Sequence, residues 1–176
     1  MKKQNKKLTE GISKLKRKIN AINPELKRLN NELKRITKKI EEEKLFKNKK
    51  GFLSWPVSGK VVTFFGKQKH SSLSTYKISK GIEIETEQFA NVKAVEKGKV
   101  VFKSPFKNYG NIVIISHPGS FFTVYGHLAR ILVKKDGKVN SGEIVGQCGA
   151  KPLYFEIRKG EKALNPIKWL KKKNRR

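Results

Sequence analysis

One short segment near the end of the chain carries the side chains best suited to binding another molecule. Residues 153–158 alternate between apolar and polar side chains, as a half-buried β-strand does. Tyr154, Glu156 and Arg158 share the face that points away from the predicted core. An aromatic ring, a carboxylate and a guanidinium together are unusual for a solvated surface, and Tyr and Arg are favoured anchors at protein interfaces. We therefore interpret this face, with Pro152 beside it, as the floor of a binding groove.

The strong positive charge is spread along the chain. The 176 residues carry a formal net charge of +28, which would suit a polyanionic partner. Residues 1–50 hold 18 basic and 6 acidic side chains, and residues 51–176 hold 24 and 8. Lys outnumbers Arg 35 to 7, although Arg makes the better bidentate contacts to phosphates and bases. We therefore expect no nucleic-acid partner and attribute the charge to a general Lys-rich composition.

The sequence shows neither a disulfide pair nor a targeting segment. Cys148 is the only cysteine, so an intrachain disulfide is impossible. The basic N-terminus lacks the apolar region of a signal peptide, and no stretch approaches the roughly 20 apolar residues of a membrane span. The sequence alone thus predicts a chain without a visible export signal.

Residues 1–45 have the pattern of a coiled-coil arm. Apolar side chains recur at alternating spacings of four and three residues among Lys, Arg, Glu, Asn and Thr. These positions are Leu8, Ile12, Leu15, Ile19, Ile22, Leu26, Leu29, Leu33, Ile36 and Ile40. Pro24 falls inside the pattern, so either the helix kinks there or two helices meet there as a hairpin. Residues 46–52 are predicted to be a linker.

Residues 53–170 form the predicted β domain, and residues 171–176 a basic tail. Short apolar segments are separated by turns rich in Gly, Asn, Ser and Lys, which indicates a mostly β fold, an antiparallel β-sandwich or barrel. The candidate strands are Gly59–Phe64, Gly81–Glu85, Asn91–Val95, Gly98–Lys103, Asn111–His117, Phe121–His127, Ile144–Gln147 and Leu153–Arg158.

The ordered motifs of this region are similar to those of a known domain. They include Trp55–Gly59, Lys80–Ile84, Tyr125–Leu128, Val139–Gly146 and Asn165–Pro166. The region closely resembles the LytM (lysostaphin-type) zinc metallopeptidase domain of bacterial cell-wall hydrolases. That resemblance implies a His-x-x-x-Asp pair and a His-x-His pair, which hold zinc and leave one position open for water.

The residues needed for that chemistry are mostly replaced. The matching positions here are Ser79, Glu83, His127, Pro152 and Tyr154. A hydroxyl and a phenol are not competent zinc ligands at neutral pH, and proline has no titratable group, so we expect no metal, no cofactor and no catalytic residue. His70 could in principle substitute as a ligand.

The departures themselves resemble the degenerate LytM domain of EnvC-type murein hydrolase activators, which also follows a coiled coil. The resemblance implies a non-enzymatic periplasmic protein whose vacated groove binds and activates an N-acetylmuramyl-L-alanine amidase at the division septum, near peptidoglycan. It also implies that the coiled coil docks onto a division ABC-transporter-like complex. The expected groove residues are Lys80, Glu83, Tyr109, Ile112, Tyr154 and Arg158.

Other interpretations remain open at this point. The chain could be a zinc-dependent peptidoglycan endopeptidase with noncanonical ligands, a peptidoglycan-binding module, or a remnant in a reduced genome. Tyr154 could simply fill the space left by the metal, and Arg158 could pair structurally with Glu156. Lys80 could be one solvated lysine among many, and Tyr109 a turn aromatic that covers the core.

Overall fold

The N-terminal part of the chain is one long helix. In a computed structural model, which describes residues 2–69 and 76–172, helix α1 spans Lys2–Lys47 and contains Pro24. The helix is continuous through Pro24, so the hairpin alternative is wrong. The apolar pattern keeps its phase on both sides of the proline, as one helix requires.

The apolar side chains of the heptad pattern are exposed. Their exposed fractions run from 47% at Ile12 to 69% at Leu8. A stripe this narrow is typical of a helix that packs against another helix. The structure describes a single chain, so the coiled coil remains a prediction.

The chain divides into two compact units, Met1–Glu41 and Glu42–Arg176. Within the described residues, no helix is both long enough and apolar enough to cross a membrane. Of the predicted basic tail, residues 173–176 lie outside the described part of the chain.

The last turns of α1 are part of the second unit, which differs from the expected linker at 46–52. Phe46 is only 3% exposed. Its ring stacks on Phe121 with centroids 4.4 Å apart, and the Trp169 ring centroid lies 5.6 Å away. The helix therefore continues to Lys47 because its final aromatic side chain is buried among other aromatic rings.

The second unit is built from short strands. In chain order they are β1 (Lys60–Thr63), β2 (Gly66–Lys69), β3 (Tyr76–Ser79), β4 (Ile82–Glu85), β5 (Asn91–Lys93), β6 (Gly98–Pro105), β7 (Asn111–His117), β8 (Phe121–Ile131), β9 (Lys138–Val139), β10 (Ile144–Cys148), β11 (Leu153–Lys159) and β12 (Lys162–Leu164). Short 3₁₀ helices lie at Lys107–Tyr109, Pro118–Ser120 and Pro166–Lys168.

The main sheet is open and antiparallel. Its strand order is β1-β4-β11-β8-β7-β6-β9; β10 pairs with β5 and β8, and β12 pairs with β11. Among the strands that the structure describes, β1 and β9 at the two ends do not pair with each other, so the closed-barrel alternative is wrong. Strands β2 and β3 form a separate hairpin.

The predicted two faces of β11 are confirmed on the core side. Leu153, Phe155 and Ile157 are fully buried, as are Ile82 and Ile84 on the neighbouring strand β4. Alternation along β11 then directs the intervening side chains to the other face of the sheet.

The predicted strands all occur, with small shifts of their ends, but other elements were not predicted. Strands β2, β9 and β12 lack the apolar alternation that reveals a half-buried strand. Strand β3 does alternate, but its apolar residues Tyr76 and Ile78 stay exposed. Strand β8 also runs on to Ile131, beyond its predicted end at His127.

Candidate functional site

A row of side chains crosses the sheet on the face opposite the core. Glu156 on β11 is the register partner of Val124 on β8, Val124 is the partner of Ile114 on β7, and Ile114 is the partner of Phe102 on β6. Residues in register on adjacent strands point to the same face. The sheet therefore presents a floor that changes from charged at β11 to apolar at β6.

This floor belongs to a groove that encloses about 500 Å³. The groove is lined by Lys80, Val101, Phe102, Phe106, Tyr109, Ile112, Ile114, Phe122, Val124, Tyr154, Glu156 and Arg158. Of the expected groove residues, Lys80, Tyr109, Ile112, Tyr154 and Arg158 are thus brought together. Glu83 is not part of the lining.

The charged end of the groove is held by a chain of hydrogen bonds around the buried Glu156 carboxylate. Glu156 is only 4% exposed, and its Oε2 accepts a hydrogen bond of 2.7 Å from the Tyr154 hydroxyl. Its Oε1 accepts another of 3.0 Å from Arg158 Nη1, while Arg158 Nη2 donates to the Glu161 carbonyl oxygen at 2.6 Å. Burial, together with the Glu156 carboxylate, raises the pKa of Tyr154, so its phenol stays protonated and remains a donor.

Aromatic rings form one wall of the groove. The ring centroids of Tyr109 and Tyr154 lie 4.7 Å apart, and the Phe106 ring centroid lies 6.4 Å from that of Tyr109. Phe106 remains 48% exposed. A large, half-exposed ring beside the partly buried Tyr109 ring offers apolar contact area to a partner.

Apart from Ile112, the apolar half of the groove was not predicted. Phe102, Ile114, Phe122 and Val124 lie on strands whose other face also carries apolar core residues. When both faces of a strand are apolar, its sequence does not alternate. The residues that face the core then cannot be distinguished from those that face the groove. The usable signal was the run of apolar residues at 112–115 within β7, which is longer than one face of a strand needs.

The positions expected from the resemblance to match zinc ligands are hydrogen-bonded to protein atoms. The Ser79 hydroxyl donates to the Gly81 carbonyl oxygen at 2.9 Å, and Glu83 Oε2 accepts a 2.6 Å hydrogen bond from the Thr63 hydroxyl. The Tyr154 hydroxyl donates its hydrogen bond to Glu156 within the groove. Within residues 2–69 and 76–172, no group of three or more His, Cys, Asp or Glu side chains could hold a metal ion. The donor types present and their existing bonds do not fit a zinc site.

His127 is also held by the protein, and His70 lies outside the described residues. His127 Nδ1 lies 2.8 Å from the Pro152 carbonyl oxygen, and Nε2 lies 3.3 Å from that of Asn108. Its backbone φ of 60° is in the left-handed region, which costs free energy for a non-glycine residue. These contacts fix the turn that carries the aromatic wall.

The chain is similar in sequence to a protein family and to characterised bacterial proteins. A family model described as peptidase family M23 matches residues 77–166. The murein hydrolase activator EnvC of Escherichia coli K12 is 31% identical over 146 residues, which cover 76% of this chain and 34% of EnvC. The murein hydrolase activator NlpD of the same strain is 30% identical over 122 residues, 66% of this chain and 30% of NlpD.

A solved structure shares the fold. A zinc-containing peptidase from Vibrio cholerae superposes with a TM-score of 0.61 at 28% identity, covering 66% of this chain and 39% of that chain. The chain spans about a third of the length of the curated relatives it matches. The family match at residues 77–166 lies within the second unit, which contains the groove.

Proposed function

The chain belongs to peptidase family M23, and from that premise we propose that it is a non-enzymatic activator of a cell-wall N-acetylmuramyl-L-alanine amidase. Similarity to the activators EnvC and NlpD supports this role. One observation supports the proposal: Ser79 and Glu83, two positions that the resemblance assigns to zinc ligands, are hydrogen-bonded to protein atoms, and an open groove lies beside them. The fold thus keeps a binding surface without the groups for hydrolysis.

We propose that the amidase binds in the groove described above. The apolar half offers contact area, and exposed Lys80 offers a positive charge at its margin. Buried aromatic anchors surrounded by a polar rim are the usual anatomy of a protein-binding site. The setting would be the periplasm, near the peptidoglycan that is split at the division septum. The helical arm would dock onto a division ABC-transporter-like complex.

A binding experiment tests the place of contact. Phe106→Asp puts a charge on the apolar wall of the groove, and Phe52→Asp makes the same change at a side chain that is 68% exposed outside its lining. Titration calorimetry with the amidase should show binding by the parent chain and by Phe52→Asp, and at least about tenfold weaker binding by Phe106→Asp. Equal affinities for all three chains would place the contact elsewhere.

A zinc endopeptidase is the second candidate, because a zinc-containing peptidase shares the fold. Metal content separates the two functions. After incubation with zinc and gel filtration, an endopeptidase would retain one equivalent of metal, whereas the proposed activator would retain none in the groove.

A further inference from the structure

Helix α1 displays an apolar surface that is large for a single helix. The seam, defined as the ten heptad residues from Leu8 to Ile40, is exposed along its whole length, from 47% to 69% at each position. Contiguous exposed apolar surface marks an interaction site, and a helix in water gains most of its stability from packing such a face.

Pro24 is placed so that it does not interrupt this seam. At 3.6 residues per turn, Pro24 lies about 180° around the helix from the midpoint between Ile22 and Leu26. Long helices are convex on the side away from their packing partner, where backbone hydrogen bonds lengthen. A residue without an N–H group is best tolerated on that side. The position of the proline therefore also indicates that the seam is covered.

We propose that the seam is covered by the same seam of a second copy of the chain, in an antiparallel two-stranded coiled coil. In one register, Ile12 faces Ile36 of the second copy and Ile22 faces Leu26. Every seam residue then meets a seam residue, because the spacing of four and three reads the same in both directions. Such a contact is closed and symmetric, as most dimer contacts are.

Charges beside the seam favour the antiparallel direction. Lys18, Glu25 and Glu32 flank it on one side, each just before a seam residue. When two helices run antiparallel, this side of one helix lies against the same side of the other. Lys18 then lies beside Glu32 of the second copy, and by symmetry this pair occurs twice. Glu25 lies beside Glu25 of the second copy near the symmetry axis, and this contact between two carboxylates is the one repulsion. Two attractions therefore outweigh one repulsion.

A parallel pair lacks these attractions. There Lys18 would face Asn23 of the second copy, and Glu32 would face Thr37, so both pairs would be neutral. A parallel pair would also place the C-terminal ends of both helices together, and residues 51–176 that follow hold 24 basic and 8 acidic side chains. In this register an antiparallel pair separates the two ends at Lys47 by roughly 70 Å, many times the Debye length of about 8 Å.

The molar mass of the full chain in solution tests whether the pair forms. Sedimentation equilibrium should give twice 20.1 kDa for the parent chain. Ile22→Asp puts a charge in the seam and should give a monomer. Its matched control, Ala21→Asp, puts the same charge on the adjacent exposed position outside the seam and should leave the dimer intact. A monomeric parent chain, or equal masses for the two variants, would overturn the proposal.

Disulfide trapping tests the direction. A mixture of Ile12→Cys and Ile36→Cys chains should give a cross-linked pair of unlike chains, whereas Ile12→Cys alone should give none. The native Cys148 is buried and does not compete. Cross-linking of Ile12→Cys with itself would establish a parallel pair and overturn the antiparallel arrangement.

An exchange of charges tests the pairing itself. Lys18→Glu should weaken the dimer roughly tenfold, because two attractions become two repulsions. Adding Glu32→Lys to that variant should restore the parent dissociation constant. Absence of rescue would contradict the Lys18–Glu32 contact. These variants lie outside the groove, so dimerisation and amidase activation can fail independently.

Discussion

Tyr154 and Glu83 are register partners across β11 and β4, yet the polar atom of each is bonded to a different residue. The Tyr154 hydroxyl donates to Glu156 at 2.7 Å, and Glu83 Oε2 accepts from Thr63 at 2.6 Å. Both are positions that we expected, from the resemblance to LytM domains, to correspond to zinc ligands. Here the two residues make separate hydrogen bonds, and the one from Tyr154 to Glu156 holds the charged end of the groove.

Lys80 can be changed with little effect on stability, because its side chain is exposed at the margin of the groove. Lys80→Glu should reduce amidase activation about tenfold, since a charge at the rim steers and orients the partner. The thermal unfolding midpoint should stay unchanged. Lys168→Glu, also exposed but outside the groove lining, is the matched control and should activate like the parent chain. Equal loss in both variants would point to general charge effects.

Arg158 and Glu156 should be coupled in stability. Arg158→Gln leaves a carboxylate that is 4% exposed without its cation, and should lower the free energy of unfolding by about 2 kcal/mol. Adding Glu156→Gln removes the buried charge and should recover part of that loss. Urea unfolding of both single variants and the double variant gives the coupling free energy. Strictly additive effects would contradict a buried ion pair.

Phe46 should anchor the end of α1. Phe46→Ala removes a buried ring from its contact with Phe121 and should lower the free energy of unfolding by about 3 to 5 kcal/mol. The adjacent Leu45 is 65% exposed, so Leu45→Ala should change it by less than about 0.5 kcal/mol. Chemical denaturation of the full chain measures both. Similar small effects would mean that residues 46–52 behave as the linker expected from sequence.

His117 should make stability depend on pH. Burial lowers the pKa of His117 from its ordinary value of 6.5, and its ring lies 2.8 Å from both the Lys97 carbonyl oxygen and the Thr123 hydroxyl. The unfolded chain then binds more protons than the folded chain. This contribution is therefore fully present above pH 6.5 and is lost as the pH falls below it.

The check is a comparison with His117→Gln. Chemical denaturation at about pH 7.5 and about pH 5 should show a smaller difference in the free energy of unfolding for the variant than for the parent chain. An equal difference in both chains would assign the pH dependence to other groups.

The fold was largely predictable because its main strands are half-buried and their apolar residues alternate. Leu153, Phe155 and Ile157 show this pattern and are buried as expected. The β2–β3 hairpin was not predictable in this way, because Gly66–Lys69 is Lys-rich and pairs through its backbone with another exposed strand. Burial of Phe46 depends on Phe121 and Trp169, which are distant in sequence.

The groove was predictable only where its side chains are unusual. Tyr154 and Arg158 stand out by type on the non-core face of a strand. Ile114 and Val124 do not, because ordinary aliphatic residues acquire a role only through the sheet register that brings them together. Sequence also gave no means to see that Glu83 would bond to Thr63 instead of facing the groove.

Release of soluble fragments from purified murein tests the activator role most directly. The assay compares this protein alone, an N-acetylmuramyl-L-alanine amidase from the same cell alone, and both together. We expect release above the amidase's basal rate only when both are present, and no effect of adding a chelator to this protein alone. Release by this protein alone that a chelator abolishes would contradict the activator role and establish a metal-dependent hydrolase.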